Sequence, residues 1–298
     1  MTENKVRGRF APSPTGPLHF GSLVAAVGSY LSAKSRGGEW LVRMEDLDPP
    51  REQKGAVDDI LRTLEAYGFE WDGAVLYQSR RRDAYEAALE TLQQQGALYD
   101  CGCTRKEISD SSIQGIEGPV YPGTCRAGLA PGRTPRVRRV RTDGALIEFT
   151  DRIQGTQQSQ LDTEFGDFVA KRADGFYAYQ LAVVVDDAEQ GITEVVRGAD
   201  LLSSTARQIH LQHLLGLPTP AYLHLPVVLD ALGEKLGKQT FAESLSRTRP
   251  VEVLWRALVF LGQDPPRAWQ EARLDEFWKV AREHWKVDSV PHQSAIAV

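Results

Sequence analysis

Apolar positions along this chain alternate between two periods. Val6 to Phe10 has the look of a short strand, and Pro12, Pro14, Gly16 and Pro17 then break the pattern. Leu23, Val27, Tyr30 and Leu31 follow helical spacing, with the Lys34 stem along the same face and Gly37 just past the end. Trp40 to Met44 predicts the next strand. Val57, Ile60, Leu61 and Leu64 predict an amphipathic helix, and Ala84, Tyr85, Ala88, Leu89 and Leu92 another that stops at Gly96. Strand–helix alternation of this kind predicts a parallel α/β sheet.

The alternation breaks near Cys101. From there to about Gly175 the chain is rich in Gly, Pro, Thr and Arg, with short β-like runs such as Leu146 to Phe149, and we read it as an insertion. Leu181 to Val185 is apolar throughout, so periodicity leaves helix and strand open. Ile192 to Val196 predicts a strand, Thr205 to Leu215 a helix and Tyr222 to Leu229 a strand. Val253, Leu254, Ala257, Leu258 and Leu261 mark one tail helix; Trp269, Phe277, Ala281 and Trp285 mark a second. The last ten residues or so are expected to be disordered. The expected division is a catalytic first half at 1–97, an inserted subdomain at 98–175, a second half at 176–240 and a helical tail at 241–298.

With 298 residues, 42% apolar and 25% charged, the composition is that of a soluble globular protein. No apolar run approaches the roughly 20 residues of a membrane-spanning helix. Met1 to Arg9 is polar and carries no signal-peptide core, so a cytoplasmic location is the default expectation. The net charge of -5 argues mildly against a nucleic-acid partner. Basic residues nevertheless cluster at Arg80, Arg81 and Arg82 and at Arg133, Arg136, Arg138, Arg139 and Arg141, where a solvated face and a basic groove are both open readings.

The strongest chemical signal is Arg9-Phe10-Ala11-Pro12-Ser13-Pro14-Thr15-Gly16-Pro17-Leu18-His19-Phe20-Gly21-Ser22. It joins a strand end, a proline-stiffened turn and a helix N-terminus, whose free N–H groups and dipole attract phosphate. Gly21 lets a ligand approach the backbone, and His19 supplies a donor for charge on a pentavalent phosphate. The stretch resembles the signature of the glutamyl branch of class I aminoacyl-tRNA synthetases, with His19-Phe20-Gly21-Ser22 as its HIGH motif. Lys235-Leu236-Gly237-Lys238-Gln239 stands where that family carries KMSKS, with Gly237 in place of the usual serine.

The resemblance implies a Rossmann-like α/β catalytic domain with an inserted acceptor-binding-like subdomain, and ATP used with Mg²⁺. It implies catalytic roles for His19 and Lys238, and ATP contacts from His19, Gly21, Ser22, Lys235 and Lys238. A glutamate substrate needs arginine for its side-chain carboxylate and an acid for its ammonium. Arg9, Phe10, Ala11, Pro12, Ser13, Glu45, Tyr179 and Arg197 match the family's glutamate-binding positions. Arg197 is assigned to the side-chain carboxylate and Glu45 to the ammonium.

Cys101, Cys103 and Cys125 do not read as a disulfide framework; three thiolates suit Zn²⁺, although Cys-x-Cys is tighter than the usual spacing. Chemistry alone leaves the fourth ligand open. The Cys-x-Cys…Tyr-x-x-x-Cys arrangement resembles that of the glutamyl-Q tRNA synthetases, in which Tyr121's counterpart completes a structural zinc site. That family is a truncated form, and about 60 residues follow Lys238 here, too few for a large anticodon-binding domain. The resemblance implies tRNA-independent activation of L-glutamate and its transfer to queuosine at the wobble position of tRNA(Asp), with the Arg133 to Arg141 cluster as a candidate RNA contact. Alternatives are a truncated glutamyl-tRNA synthetase charging the tRNA 3′ end and a non-catalytic tRNA-binding paralogue. A monomer is the default expectation.

Overall fold

The computed structural model describes residues 5–230, 232–235 and 245–298. It opens with β1 (Arg7–Phe10), α1 (Phe20–Lys34), β2 (Glu39–Met44), α2 (Ala56–Ala66) and β3 (Leu76–Tyr77), followed by α3 (Arg82–Gln94). Then come β4 (Leu98–Cys101), α4 (Arg105–Ser111), β5 (Gln114–Gly115), β6 (Gly118–Pro119), β7 (Val137–Val140), β8 (Leu146–Asp151), β9 (Gly155–Gln160), α5 (Leu161–Glu164) and β10 (Phe168–Lys171). The chain continues through α6 (Tyr179–Glu189), β11 (Glu194–Gly198), α7 (Leu202–Leu215), β12 (Ala221–Leu225) and β13 (Val227–Leu229), and closes with α8 (Pro250–Phe260), α9 (Leu274–His284) and β14 (Ala295–Ala297).

Strands β1, β2 and β3 pair in parallel, as do β11 and β12. The two groups meet where Thr193 N–H donates to the Arg7 carbonyl at 2.9 Å and Arg7 N–H donates to Thr193 Oγ1 at 2.9 Å. The order is therefore β3-β2-β1-β11-β12, and the direction of winding reverses between β1 and β11. Open α/β sheets bind ligands at that switch point, beyond the carboxyl ends of the strands. The β8–β9 hairpin joins the far edge through one parallel bridge, Tyr222 to Asp151. Strands β10, β7 and β4 form a separate antiparallel sheet.

Helix α1 is buried from Leu23 through Ala33 except at Ala25, because the sheet covers one side and α8 the other. Gly28 permits this approach: a Cβ there would lie 2.5 Å from Leu225 Cδ1. Beside it, fully buried Trp40 stacks on Phe69 at 5.4 Å, meets Tyr30 edge-on at 5.1 Å and donates Nε1–H to Ser29 Oγ at 3.0 Å. Trp278 of α9 packs on Tyr30 at 4.7 Å and donates to the Tyr67 carbonyl at 2.8 Å, which pins the tail to the core.

One open reading is settled and two expectations change. The ambiguous run Leu181 to Val185 lies in helix α6, packed within a second apolar cluster that includes Tyr85, Leu89 and Leu211. The strand expected over Tyr222 to Leu229 splits at Pro226, which has no N–H to donate. The C-terminus is ordered rather than disordered. Strand β14 pairs with β13, and Val298 N–H donates to the Leu229 carbonyl at 3.1 Å. A three-residue strand has no signature of its own; the open edge of β13 creates it. No helix among the described residues is long and apolar enough to cross a membrane.

Replacing Trp40 with alanine should cost about 3–5 kcal/mol, because the surrounding rings cannot collapse onto the void. Equilibrium urea unfolding checks this; a loss under about 1 kcal/mol would contradict the packing account.

Candidate active site at the sheet switch point

After β1 the chain turns through residues 11–17. Glu45 N–H donates to the Pro12 carbonyl at 3.0 Å and Gln53 N–H to the Pro14 carbonyl at 2.9 Å, tying this turn to the loop after β2. Gly16, at φ 143°, adopts a backbone conformation that other residues avoid. His19 then caps α1: its Nδ1 accepts from Ser22 N–H at 3.2 Å, which assigns the ring proton to Nε2. No acidic residue occupies the first turn, so the helix end stays electropositive.

A cavity of about 620 Å³ opens here, lined by Arg9, Phe10, Ala11, Pro12, Ser13, His19, Ser22, Glu45, Tyr179 and Arg197 among others. Gly21 and Lys235 line a smaller hollow of about 160 Å³ that shares His19 and Ser22. Lys235 Nζ bonds Asp200 Oδ2 at 2.5 Å. Lys238 and Gly237 lie outside the described residues.

The charges in this wall are unevenly paired. Asp187 of α6 accepts from Arg9 Nε at 3.1 Å and NH2 at 3.3 Å, and from Arg43 NH2 at 2.7 Å. Burial pushes its carboxyl up, but the two guanidiniums outweigh burial and hold it below the ordinary value. Neighbouring Asp186 accepts from Gln78 at 2.8 Å, Tyr85 at 2.8 Å and Arg81 Nε at 3.0 Å. Glu45 keeps 10% side-chain exposure, toward the cavity, and lies 3.6 Å from Arg43 NH2. Burial raises its pKa to about 7; Arg43 and Arg9 pull it down, while Asp187 and Asp186 push it further up.

Arg197 contrasts with the other two arginines. Its Nε donates to His224 Nε2 at 3.0 Å, NH1 to the Tyr179 hydroxyl at 3.3 Å and NH2 to Thr205 Oγ1 at 2.8 Å. Among the described residues no carboxylate pairs with it. The cavity thus presents a guanidinium without an acidic partner and a carboxyl near its titration point. That combination suits a ligand carrying both a carboxylate and an ammonium.

Sequence reasoning missed Arg43, Asp187, Asp151 and His224. Arg43 stood inside the predicted strand Trp40 to Met44, and the consecutive acids directly after the apolar run Leu181 to Val185 were a usable signal for Asp187. Asp151 and His224 lie 73 positions apart and have no local signature.

The three cysteines meet beside the antiparallel sheet, with all Sγ atoms within 4.8 Å of one another. Cys103 Sγ lies 3.6 Å from Cys125 Sγ; the Tyr121 hydroxyl lies 3.3 Å from Cys101 Sγ and 3.8 Å from Cys103 Sγ. Thiolates around a tetrahedral ion at ~2.3 Å would stand ~3.8 Å apart, so the cluster could hold a metal ion. Cys125 N–H donates to the Tyr121 oxygen at 2.9 Å, and the Arg139 guanidinium stacks on that ring at 4.0 Å. Burial pushes the Cys101 thiol up, but the Tyr121 hydroxyl and Arg139 more than offset this. Burial and the Cys125 sulfur push Cys103 up to about 11.

The basic clusters are largely consumed in structural pairs. Arg139 is buried and donates to the Asp167 carbonyl at 2.7 Å; Arg141 bonds Asp143 at 2.8 Å, and Arg133 pairs with Glu107. Arg138 lies 3.7 Å from Asp100, while Arg136 is exposed. Arg81 pairs with Asp186 and Glu189, and Arg80 lies over the Tyr77 ring at 4.6 Å.

Comparison with known proteins agrees with this geometry. A family model described as the catalytic domain of class I tRNA synthetases (E and Q) matches residues 5–263. The protein named glutamyl-Q tRNA(Asp) synthetase of Dechloromonas aromatica is 60% identical over 292 residues, covering 97% of each chain. That of Aromatoleum aromaticum is 58% identical, covering 96% of this chain and 90% of its own. The crystal structure of a glutamate tRNA ligase from Elizabethkingia meningosepticum in complex with its amino acid superposes with a TM-score of 0.81. It is 27% identical, and the match covers 98% of this chain and 67% of that one.

The raised pKa of Glu45 has a definite sign. A ligand ammonium stays charged as pH falls, whereas Glu45 becomes neutral as pH falls through about 7. Affinity for an amino-acid ligand should therefore plateau above about pH 8 and fall roughly tenfold per unit below about pH 6. Calorimetric titration across this range checks it; a flat profile would show that Glu45 does not receive the ammonium.

Proposed function

The chain belongs to the class I tRNA synthetases of the E and Q type, and from that premise we propose that it activates L-glutamate with ATP, without tRNA, and transfers the glutamyl group to queuosine at the wobble position of tRNA(Asp). The observation that carries the amino-acid assignment is the pairing pattern in the cavity: Arg9 and Arg43 share Asp187, whereas Arg197 has no acidic partner among the described residues. An uncompensated guanidinium at low dielectric favours a carboxylate over a neutral amide. Arg197 takes the side-chain carboxylate and Glu45 the ammonium. Arg9, Ser13 and Tyr179 complete the wall, with the backbone of Phe10, Ala11 and Pro12.

In the first step the α-carboxylate of glutamate attacks the α-phosphorus of ATP, and pyrophosphate leaves. His19 Nε2–H and the α1 N-terminus face the charge that develops on the phosphate oxygens. Gly21 and Ser22 admit the nucleotide close to the backbone. Lys235 and Lys238 follow the pyrophosphate, and Mg²⁺ carried in with ATP would offset phosphate charge. In the second step a hydroxyl of the acceptor attacks the adenylate carbonyl, and AMP leaves. The identities of 58–60% to proteins named for glutamyl-Q and tRNA(Asp) support queuosine as that acceptor, over the ribose at a tRNA 3′ end.

Cys101, Cys103, Cys125 and Tyr121 are assigned to one structural Zn²⁺. Coordination would turn the Tyr121 phenol and the thiols into anionic ligands and staple β4 to the 121–125 loop. Protein purified without chelator should carry about one zinc per chain, and Cys125→Ser should lose most of it, by elemental analysis. Wild-type protein holding none would overturn the assignment.

Labelled glutamate with ATP and two tRNA pools, one containing queuosine and one from cells unable to make it, tests the acceptor. Label should appear on the queuosine pool alone. Equal labelling of both would establish charging of an ordinary tRNA 3′ end instead.

A further inference from the structure

We infer that Asp151 and His224 are positioning residues that hold Arg197 aimed at the side-chain carboxylate of the substrate, an assignment that rests on the glutamate reading above. His224 sits on β12 in register with Arg197 on β11. Its ring is fully buried and lies nearly parallel to Tyr222 at 6.1 Å. Nδ1–H donates to Asp151 Oδ2 at 2.6 Å, which leaves Nε2 as the acceptor for Arg197 Nε at 3.0 Å. The Thr205 hydroxyl, 3.2 Å from the same nitrogen, accepts from Arg197 NH2 at 2.8 Å. The inner edge of the guanidinium is thus fixed by neutral acceptors, and its charge is left for the ligand.

Asp151 is built to enforce that tautomer. Its other oxygen, Oδ1, accepts from three backbone N–H groups: Ile153 at 3.0 Å, Gln154 at 2.8 Å and His224 at 3.2 Å. Both carboxylate oxygens are therefore committed as acceptors, and His224 must present its proton to Oδ2. Burial and the adjacent Arg197 both oppose a second proton on the ring, although Asp151 favours one, and the balance holds the ring's pKa below the ordinary histidine value. Asp151 reaches this place because the β8–β9 hairpin docks on β12 through the Tyr222 bridge, so a residue from the inserted segment sets the orientation of a group in the cavity.

The isosteric change Asp151→Asn separates positioning from bulk stability. The three N–H donors hold the amide oxygen at the Oδ1 place and leave the NH2 facing Nδ1. His224 must then carry its proton on Nε2, directly against Arg197 Nε–H. In glutamate-dependent ATP–pyrophosphate exchange, KM for glutamate should rise about 10- to 100-fold, the worth of a hydrogen bond to a charged group, with KM for ATP unchanged. His224→Gln, whose amide oxygen can replace Nε2 as acceptor, should recover much of that loss. Nitrogen-15 NMR of the histidine ring should place the proton on Nδ1 in the wild type and on Nε2 in Asp151→Asn. A wild-type proton on Nε2, or an Asp151→Asn enzyme with wild-type KM for glutamate, would overturn the positioning role alone. A wild type that supports exchange with another amino acid but not with glutamate would overturn the substrate reading, and the glutamate assignment of Arg197 with it.

Discussion

One buried carboxylate makes the rest of this site possible. Asp187, 7% exposed, neutralises two guanidiniums that would otherwise stand uncompensated inside the protein: Arg9 at the end of β1 and Arg43 at the end of β2. Removing one partner from such a network leaves a buried charge, which costs about 3–5 kcal/mol. The same interaction joins α6, which follows the segment around the cysteines, to the first two strands, which precede it. Its neighbour Asp186 fastens the same helix to Arg81, Gln78 and Tyr85. Two consecutive acids on one helix therefore close the catalytic core across a long excursion of the chain.

That closure decides the chemistry available at the switch point. With Asp187 spent on Arg9 and Arg43, no carboxylate among the described residues pairs with Arg197, and Glu45 stands beside Arg43 with its pKa raised to about 7. A dicarboxylic amino acid supplies what is missing on both sides. In the proposed mechanism the nucleotide end is separate: His19, fixed in one tautomer by Ser22 N–H, would work with the N-terminus of α1 rather than with the arginines. Under that proposal, amino-acid selection and phosphate stabilisation draw on different parts of one cavity.

Much of this was legible in the sequence because it is local. The strand, turn and helix from Arg9 to Ser22 form a contiguous motif, and Glu45 and Arg197 each sit at a predicted strand end, so their convergence followed from the α/β pattern. The helix over Leu181 to Val185 was undecidable because a helix buried on all sides loses its 3.6-residue period. The ordered C-terminus was invisible because β14 exists only through the open edge of β13. Asp151 and His224 escaped notice for a related reason: they are brought together by a single inter-strand bridge, and neither has a neighbour in sequence that hints at a role. In the basic cluster from Arg133 to Arg141, composition gave no sign of the ion pairs and the stacking on Tyr121 that its members make.

The central claim is that an unpaired Arg197 charge selects a side-chain carboxylate. Comparing L-glutamate with L-glutamine in ATP–pyrophosphate exchange, with tRNA absent, tests it most directly. The account predicts exchange with glutamate alone, by about a hundredfold or more in kcat/KM, because the amide leaves a buried guanidinium uncompensated. Comparable exchange with both amino acids would contradict it.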